Sequence, residues 1–298
     1  MRFIRHLEPF VNVAASSRAV LNSTLVLGNI IERIYLVLGG TTFTKAMIQT
    51  TAVGAFPSAA ASGGIRVKIN GKVIFGDIAG GNLDALQTYQ LGNSTAGYLT
   101  IDFVEPDSKA MQGEILGSID TNAAGVNTFT VEADINASAV APTLDSWVQL
   151  RDPASTTLKN GFNPSLAPLL RALIPTTLTP TAAAEAQFNL NVGSGGNSLI
   201  KRIVIISSVL TNVRVKRNSL DVYEYVAPAL ANFLQADYGR HSQSNMYVID
   251  WLVDGNQSDA QPTRNADGTL ANWQWLLTAS GAGTHLVYAD VYSILGGI

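Results

Sequence analysis

Cysteine is absent from this 298-residue chain, which excludes disulfides, thiolate metal sites and cysteine nucleophiles and fits a protein made in a reducing cytosol. Charge is scarce: Asp, Glu, Lys and Arg supply 14% of the residues, against about 25% in ordinary soluble domains. Much of the surface is therefore neutral, as in a loop-rich β protein or one whose flanks are covered by neighbours. The net charge of −3 argues against sequence-specific gripping of nucleic acid, which calls for a clustered basic surface. The three histidines, His6, His241 and His285, stand singly with no ligand spacing and read as structural. Long apolar runs are missing too. The best stretch, Ile30 to Leu38, is broken by Glu32 and Arg33 and falls far short of the roughly 20 residues a bilayer requires. Arg2 and Arg5 run into His6, Glu8 and Pro9 before the apolar core of a secretory leader can develop.

What is present is repetition. Positions 65–107 match positions 213–255 at a constant offset of 148, as Ile65-Arg66-Val67-Lys68 against Val213-Arg214-Val215-Lys216 and Ile101-Asp102-Phe103 against Ile249-Asp250-Trp251. The 43 aligned positions hold 10 identities, where residue usage alone gives roughly 3. Ile31-Glu32-Arg33-Ile34 is echoed by Ile200-Lys201-Arg202-Ile203 at an offset of 169, and Thr128 to Asp134 by Thr284 to Asp290 at 156. The fall from 169 to 148 predicts an insertion near Thr41 to Gly64 in the first unit, a long loop of Thr, Ala, Ser and Gly. Such a duplication means two copies of one folded unit in tandem.

Within each unit the signals are those of strands. Leu21 to Leu27, Ile31 to Leu38, Ile65 to Ile69, Lys72 to Phe75, Tyr98 to Val104, Glu114 to Ile119 and Thr128 to Ile135 are short β-branched or aromatic runs between Gly and Asn turns. The second unit answers with Ala186 to Val192, Leu199 to Ser207, Val213 to Lys216, Asp221 to Tyr225, Met246 to Val253, Trp273 to Thr278 and Thr284 to Ile294. One helix interrupts each set. Pro228 suits a first turn, Leu230, Phe233, Leu234 and Tyr238 fall on one face, and Gly239 closes it; the counterpart starts at Asn82, a good cap, and runs to Leu91 and Gly92. The reading is all-β: two tandem jelly-roll β-sandwiches, each with one short flanking helix. The first occupies residues 1–140 with an N-terminal arm and the second residues 186–298. Residues 141–185, with six prolines from Pro142 to Pro180, form a linker with one short helix at Leu166 to Leu173. The eighth strand of each barrel has no evident place.

No catalytic constellation emerges. Asp102 and Asp250 are matched across the repeat, as in an enzyme whose two lobes share a proton between carboxylates. Each, however, lies in a strand and lacks the hydroxyl residue and glycine of such a turn, so both read as outward-facing partners of a cation such as Arg66 or Arg214. Gly193-Ser194-Gly195-Gly196 lacks the lysine and helix of a phosphate loop and reads as a turn. Asp254 to Asp259 and Asn265-Ala266-Asp267-Gly268 offer oxygen ligands, which makes calcium the one candidate cofactor, although a hydrophilic loop tip is the default. Trp273 and Trp275 share a strand face and read as packing or interface surface ahead of a sugar platform.

Phe10-Val11-Asn12-Val13-Ala14-Ala15, the alternating Ile65 to Gly71, Tyr247-Val248-Ile249-Asp250-Trp251 and the closing strand Thr284 to Tyr292, taken in this order with the duplication, carry a resemblance over nearly the whole chain. It resembles the double jelly-roll major capsid proteins of membrane-containing icosahedral viruses, most closely the corticovirus type. Tectivirus capsid proteins and adenovirus hexon share that architecture with larger loops. The resemblance implies a non-enzymatic bacteriophage capsid subunit that forms homotrimers, pseudo-hexagonal blocks that tile an icosahedral virion shell after assembly in the host cytoplasm. Its implied partners are copies of itself, other virion proteins such as a vertex protein, and an internal lipid membrane. Arg2 and Arg5, in a basic N-terminal arm, are the candidate inner-surface contacts toward acidic headgroups. The competing reading is a two-domain β-sandwich that binds or cleaves glycans, which requires an aromatic groove and, for cleavage, a carboxylate pair.

Overall fold

The computed structural model describes residues 2–105, 108, 115–122, 126–152, 169–190, 192 and 198–295. The first unit contains β1 (Arg2–His6), β2 (Arg18–Ser23), β3 (Ile30–Gly39), β4 (Ile65–Ile69), β5 (Lys72–Ile78), α1 (Gly80–Leu91), β6 (Tyr98–Asp102), a two-residue β7 (Ile119–Asp120), β8 (Phe129–Asp134) and β9 (Thr143–Arg151). Its sheets run β1-β9-β3-β6, with β7 beside β3, and β5-β4-β8-β2. The second unit contains β10 (Leu170–Leu178), β11 (Glu185–Phe188), β12 (Leu199–Ile206), β13 (Leu210–Arg217), β14 (Leu220–Val226), α2 (Pro228–Ala236), β15 (Met246–Asp250), β16 (Gln261–Pro262), β17 (Trp273–Ala279) and β18 (His285–Ser293). Its sheets run β10-β18-β12-β15 and β11-β17-β13-β14. The two orders are the same order written twice, and each is that of an eight-stranded jelly roll.

Local chemistry explains the strands. Along β4, Ile65, Val67 and Ile69 are buried while Arg66 and Lys68 stay half-exposed, the alternation of a sheet with one covered face. The β4–β5 turn places Asn70 and Gly71 at φ +52° and +78°, and the β13–β14 turn places Asn218 and Ser219 at +51° and +69°. Two consecutive positive φ angles make the turn whose twist matches a hairpin. Both units also share a bulge. β3 slips against β9 at Glu32, and β12 slips against β18 at Lys201, so the insertion of one residue is part of the duplicated plan.

Several expectations are corrected. The stretch read as a linker holds two strands: β9 ends the first barrel between β1 and β3, and β10 opens the second between β18 and β5. These, with β1, supply the missing strands. Of the helix expected at Leu166 to Leu173, residues 166–168 lie outside the described residues and Leu170 to Leu173 are strand. Glu114 likewise lies outside them, and the strand expected there begins only at Ile119. The echo at offset 156 joins unlike strands, since β8 lies between β2 and β4 as β17 lies between β11 and β13. Ile31 faces Leu150 and Ile200 faces Val291, so β9 maps onto β18 at 291 − 150 = 141. Finally, α1 is capped by Ala79, not Asn82, whose buried side chain instead exchanges hydrogen bonds with the Ser58 backbone.

The barrels are joined edge to edge. β10 pairs in parallel with β5 through Leu173 and Phe75, which fuses one sheet of each unit into a single nine-stranded sheet. β18 is buried at every position, because one face covers its own core and the other meets the first unit. The predicted insertion is a loop with one 3-10 turn, Lys45–Met47, and it lies across α1.

Candidate assembly surface and inter-unit seam

The N-terminal residues do not form a free basic arm. β1 pairs along its whole length with β9. Arg2 Nε lies 2.7 Å from the fully buried carboxylate of Glu32, which Arg151 approaches to 2.6 Å. Arg5 donates to the Leu25 carbonyl at 3.4 Å and remains exposed, while His6 meets Asp145 at 2.7 Å. The edge strand is thus basic but in part neutralised from behind.

The two repeat-matched aspartates are buried, not outward-facing. β3 and β6 set Arg33 opposite Asp102, 2.7 Å apart, and β12 and β15 set Arg202 opposite Asp250 at 3.3 Å. One Arg–Asp cross-strand pair therefore occurs once per unit. Arg66 is instead engaged by Asp77 and Asp134, and Arg214 by Glu185. The duplicated motif was legible; its partners were not, because register across 69 residues leaves no local trace.

Around the second pair a fully buried ionic cluster bridges the units. Glu105, which follows β6, receives Arg202 at 2.8 Å and Lys201 at 2.9 Å. Arg171 of β10 grips Asp290 through two hydrogen bonds and donates to the Asp102 carbonyl at 2.7 Å. The Tyr89 hydroxyl of α1 reaches Asp250 at 3.1 Å, and the His241 backbone N–H donates to the Tyr89 carbonyl. Burial pushes the Glu105 carboxyl up, but Arg202 and Lys201 outweigh it and hold it well below the usual range. Asp290, raised by burial, is held down by Arg171 and its neighbours. At Asp102 burial prevails over Arg33 and the carboxyl is raised, and burial together with Arg171 lowers the Lys201 ammonium. A group so desolvated and so fully paired fixes how two bodies sit; it offers no free acid or base to a substrate.

The remaining candidates resolve into local structure. Trp273 stacks on Trp275, with planes 13° apart, and carries the Arg217 guanidinium 5.7 Å from its ring centre, so it is held between two neighbours and is no open sugar platform. Asp267 accepts from the Thr269 N–H and hydroxyl, and Asp254 from the Asn256 N–H, closing their own turns. Among the described residues no three metal-ligating side chains converge. Gly193 to Gly196 lie outside the described residues. His285 is buried beside the Ser207 hydroxyl and its pKa is lowered by burial. A pocket of about 550 Å³ between the 41–64 loop and α1 contains Lys45, but Asp84 and Ser94 already satisfy that ammonium.

The comparisons with known proteins follow this geometry. Residues 4–151 match the family described as viral coat protein P2 N-terminal domain, and residues 170–295 match the viral coat protein P2 C-terminal domain. The chain belongs to the viral coat protein P2 family. Among solved structures, the coat protein is similar to the major capsid protein P2 of bacteriophage PM2, at 18% identity and a TM-score of 0.80 over 100% of both chains. It is also similar to the major capsid protein of STIV, at 13% identity and TM-score 0.67 over 99% of this chain and 98% of that one. A chain of the PBCV-1 virus capsid aligns at 10% identity and TM-score 0.57 over 99% and 95%. A search of curated protein sequences finds no match. The coat protein is thus a double jelly-roll structural subunit of a virion capsid and not an enzyme.

Proposed function

We propose that three copies associate into a pseudo-hexagonal block, six barrels around one axis, and that such blocks tile an icosahedral shell assembled in the host cytoplasm. The observation that carries this reading is the side-by-side joining of two barrels of identical strand order through one continuous sheet. A catalytic two-lobed protein would instead face its halves across a cleft. A closed rotational ring makes its internal contacts alike, whereas contacts between blocks vary with environment and are weaker. Scarce surface charge suits both. A vertex protein and an internal membrane complete the partners of this reading; of the two arginines, Arg2 is already held by Glu32 and Arg5 is exposed and open to an outside contact.

Light scattering on the purified chain tests it. The expected species is a trimer of three times 31.6 kDa, about 95 kDa, which forms sheets or shells in negative stain at high concentration. A chain that stays monomeric at every concentration overturns the reading.

A further inference from the structure

The contact that joins the two units leaves an unused copy of itself at each end of the chain. In the first unit the edge strand β5 is covered by β10, and Asn82 of α1 lies against the buried Tyr288 of β18. Among the described residues, the equivalent edge β14 of the second unit pairs with nothing beyond β13, and α2 turns Leu230, Phe233 and Leu234 outward. The strand equivalent to β10 is β1. Phe3 faces Leu150 as Ala172 faces Val291, so β1 maps onto β10 at 172 − 3 = 169. β1 is likewise an uncovered edge among the described residues.

We infer that β1 and the outer face of β9 of one copy dock on β14 and α2 of the next, repeating the intrachain contact so that three copies close a ring. This rests on the trimer reading above and names its interface. The internal offsets fix the pairing. Leu173 beside Phe75 becomes Ile4 beside Tyr223 of the next copy, since 173 − 169 = 4 and 75 + 148 = 223. Leu173 is 1% exposed and Ile4 is 61% exposed, as expected of a residue whose cover lies on another molecule. Continuing in parallel, Arg5 falls beside Glu224, an opposite-charge pair that the fold alone does not require. Arg2 falls beside Asp221, although Glu32 and Lys216 already engage those two within the chain. On the helix, Tyr288 against Asn82 becomes Trp147 against Leu230, since 288 − 141 = 147 and 82 + 148 = 230. Trp147 is 42% exposed and Tyr288 1%. Uncovered sheet edges with apolar flanks are where strand addition occurs.

The test uses full-length chain. Arg5→Glu or Glu224→Arg weakens trimerisation by at least about tenfold, and the two together restore it; Trp147→Asp gives folded monomer by circular dichroism. Because the chain has no cysteine, the pair Arg5→Cys with Glu224→Cys is a clean probe. Adjacent strands bring Cα atoms to about 4.8 Å, within the disulfide range of about 4.4–6.8 Å, so oxidation yields covalent trimer on a denaturing gel. Trimers that ignore the charge reversals and never cross-link overturn this interface while the block reading stands; a wild-type chain that is never trimeric overturns both. Loss of binding to phosphatidylglycerol vesicles in Arg5→Glu, with trimerisation unchanged, assigns that residue to lipid and also overturns it.

Discussion

The helices α1 and α2 begin at equivalent positions behind the same Ala cap residue, Ala79 and Ala227, yet one is core and the other is surface. Leu86 is 3% exposed, and its equivalent Leu234 is 49% exposed. Part of the difference is the 41–64 loop. Between β3 and β4 it lays Ile48 and Phe56 on Gly80 and Gly81, while between β12 and β13 only residues 207–209 intervene. Where the loop lands, the helix opens on Gly-Gly; where it does not, it opens on Pro-Ala. Duplicated units thus diverge at what covers them before they diverge in strand order. Among the described residues the apolar face of α2 is bare, and it is this face that the inferred contact between copies would cover.

The comparison is broken most severely behind the covered edge. Glu105→Ala takes from Lys201 and Arg202 the nearer of the two carboxylates they share, leaving only Asp290, at 3.6 and 3.3 Å, common to both in a site closed to water. A buried pair broken on one side costs about 3–5 kcal/mol. Chemical denaturation of the unassembled chain measures it, and a loss under about 1 kcal/mol would show that water reaches the cluster. Next in size is the pair of helix leucines. Leu86→Ala removes packed core and destabilises by about 2–5 kcal/mol, whereas Leu234→Ala shifts the unassembled chain by no more than about 0.5 kcal/mol. Equal effects at the two positions would mean that α2 is covered within its own chain.

Much of this was legible in the sequence because β4 to β6 and the helix between them keep the same spacing in both units, so the 148 offset survives as identities such as Arg66, Asn70 and Asp102. The jelly-roll class followed from strand count and alternation. β9 was hidden although Leu144, Ser146, Val148 and Leu150 alternate cleanly into the core, because it begins right after Pro142 in a proline-rich stretch. β10 contains Pro175, which a central strand normally rejects; here the parallel contact with β5 is made at Leu173, before the missing N–H matters. The seam was illegible for a different reason. Glu105, Arg171 and Asp290 meet only through register over more than 60 residues, and isolated charged letters in strands look like surface. Leu230, Phe233 and Leu234 share one face of α2 as their spacing predicts, while Tyr238 and Gly239 lie beyond the helix end at Ala236; nothing in a periodic pattern says whether that face meets the same chain or another.

The smallest effect sharpens the comparison at the glycines themselves. Ala is ordinarily better than Gly in a helix by about 1 kcal/mol, and the equivalent of Gly81 in α2 is the exposed Ala229. At Gly81, however, a Cβ would stand 2.3 Å from the Phe56 ring, so the loop has to lift before the helix can gain. Gly81→Ala is therefore expected to destabilise by about 1–3 kcal/mol, and Gly81→Ala combined with Phe56→Ala to recover part of that loss, since the obstruction is gone and the helix preference remains. Thermal unfolding of the two variants beside Phe56→Ala alone separates the terms. A Gly81→Ala chain as stable as the parent would show that Phe56 does not rest on α1 and that the loop is not what makes this helix core.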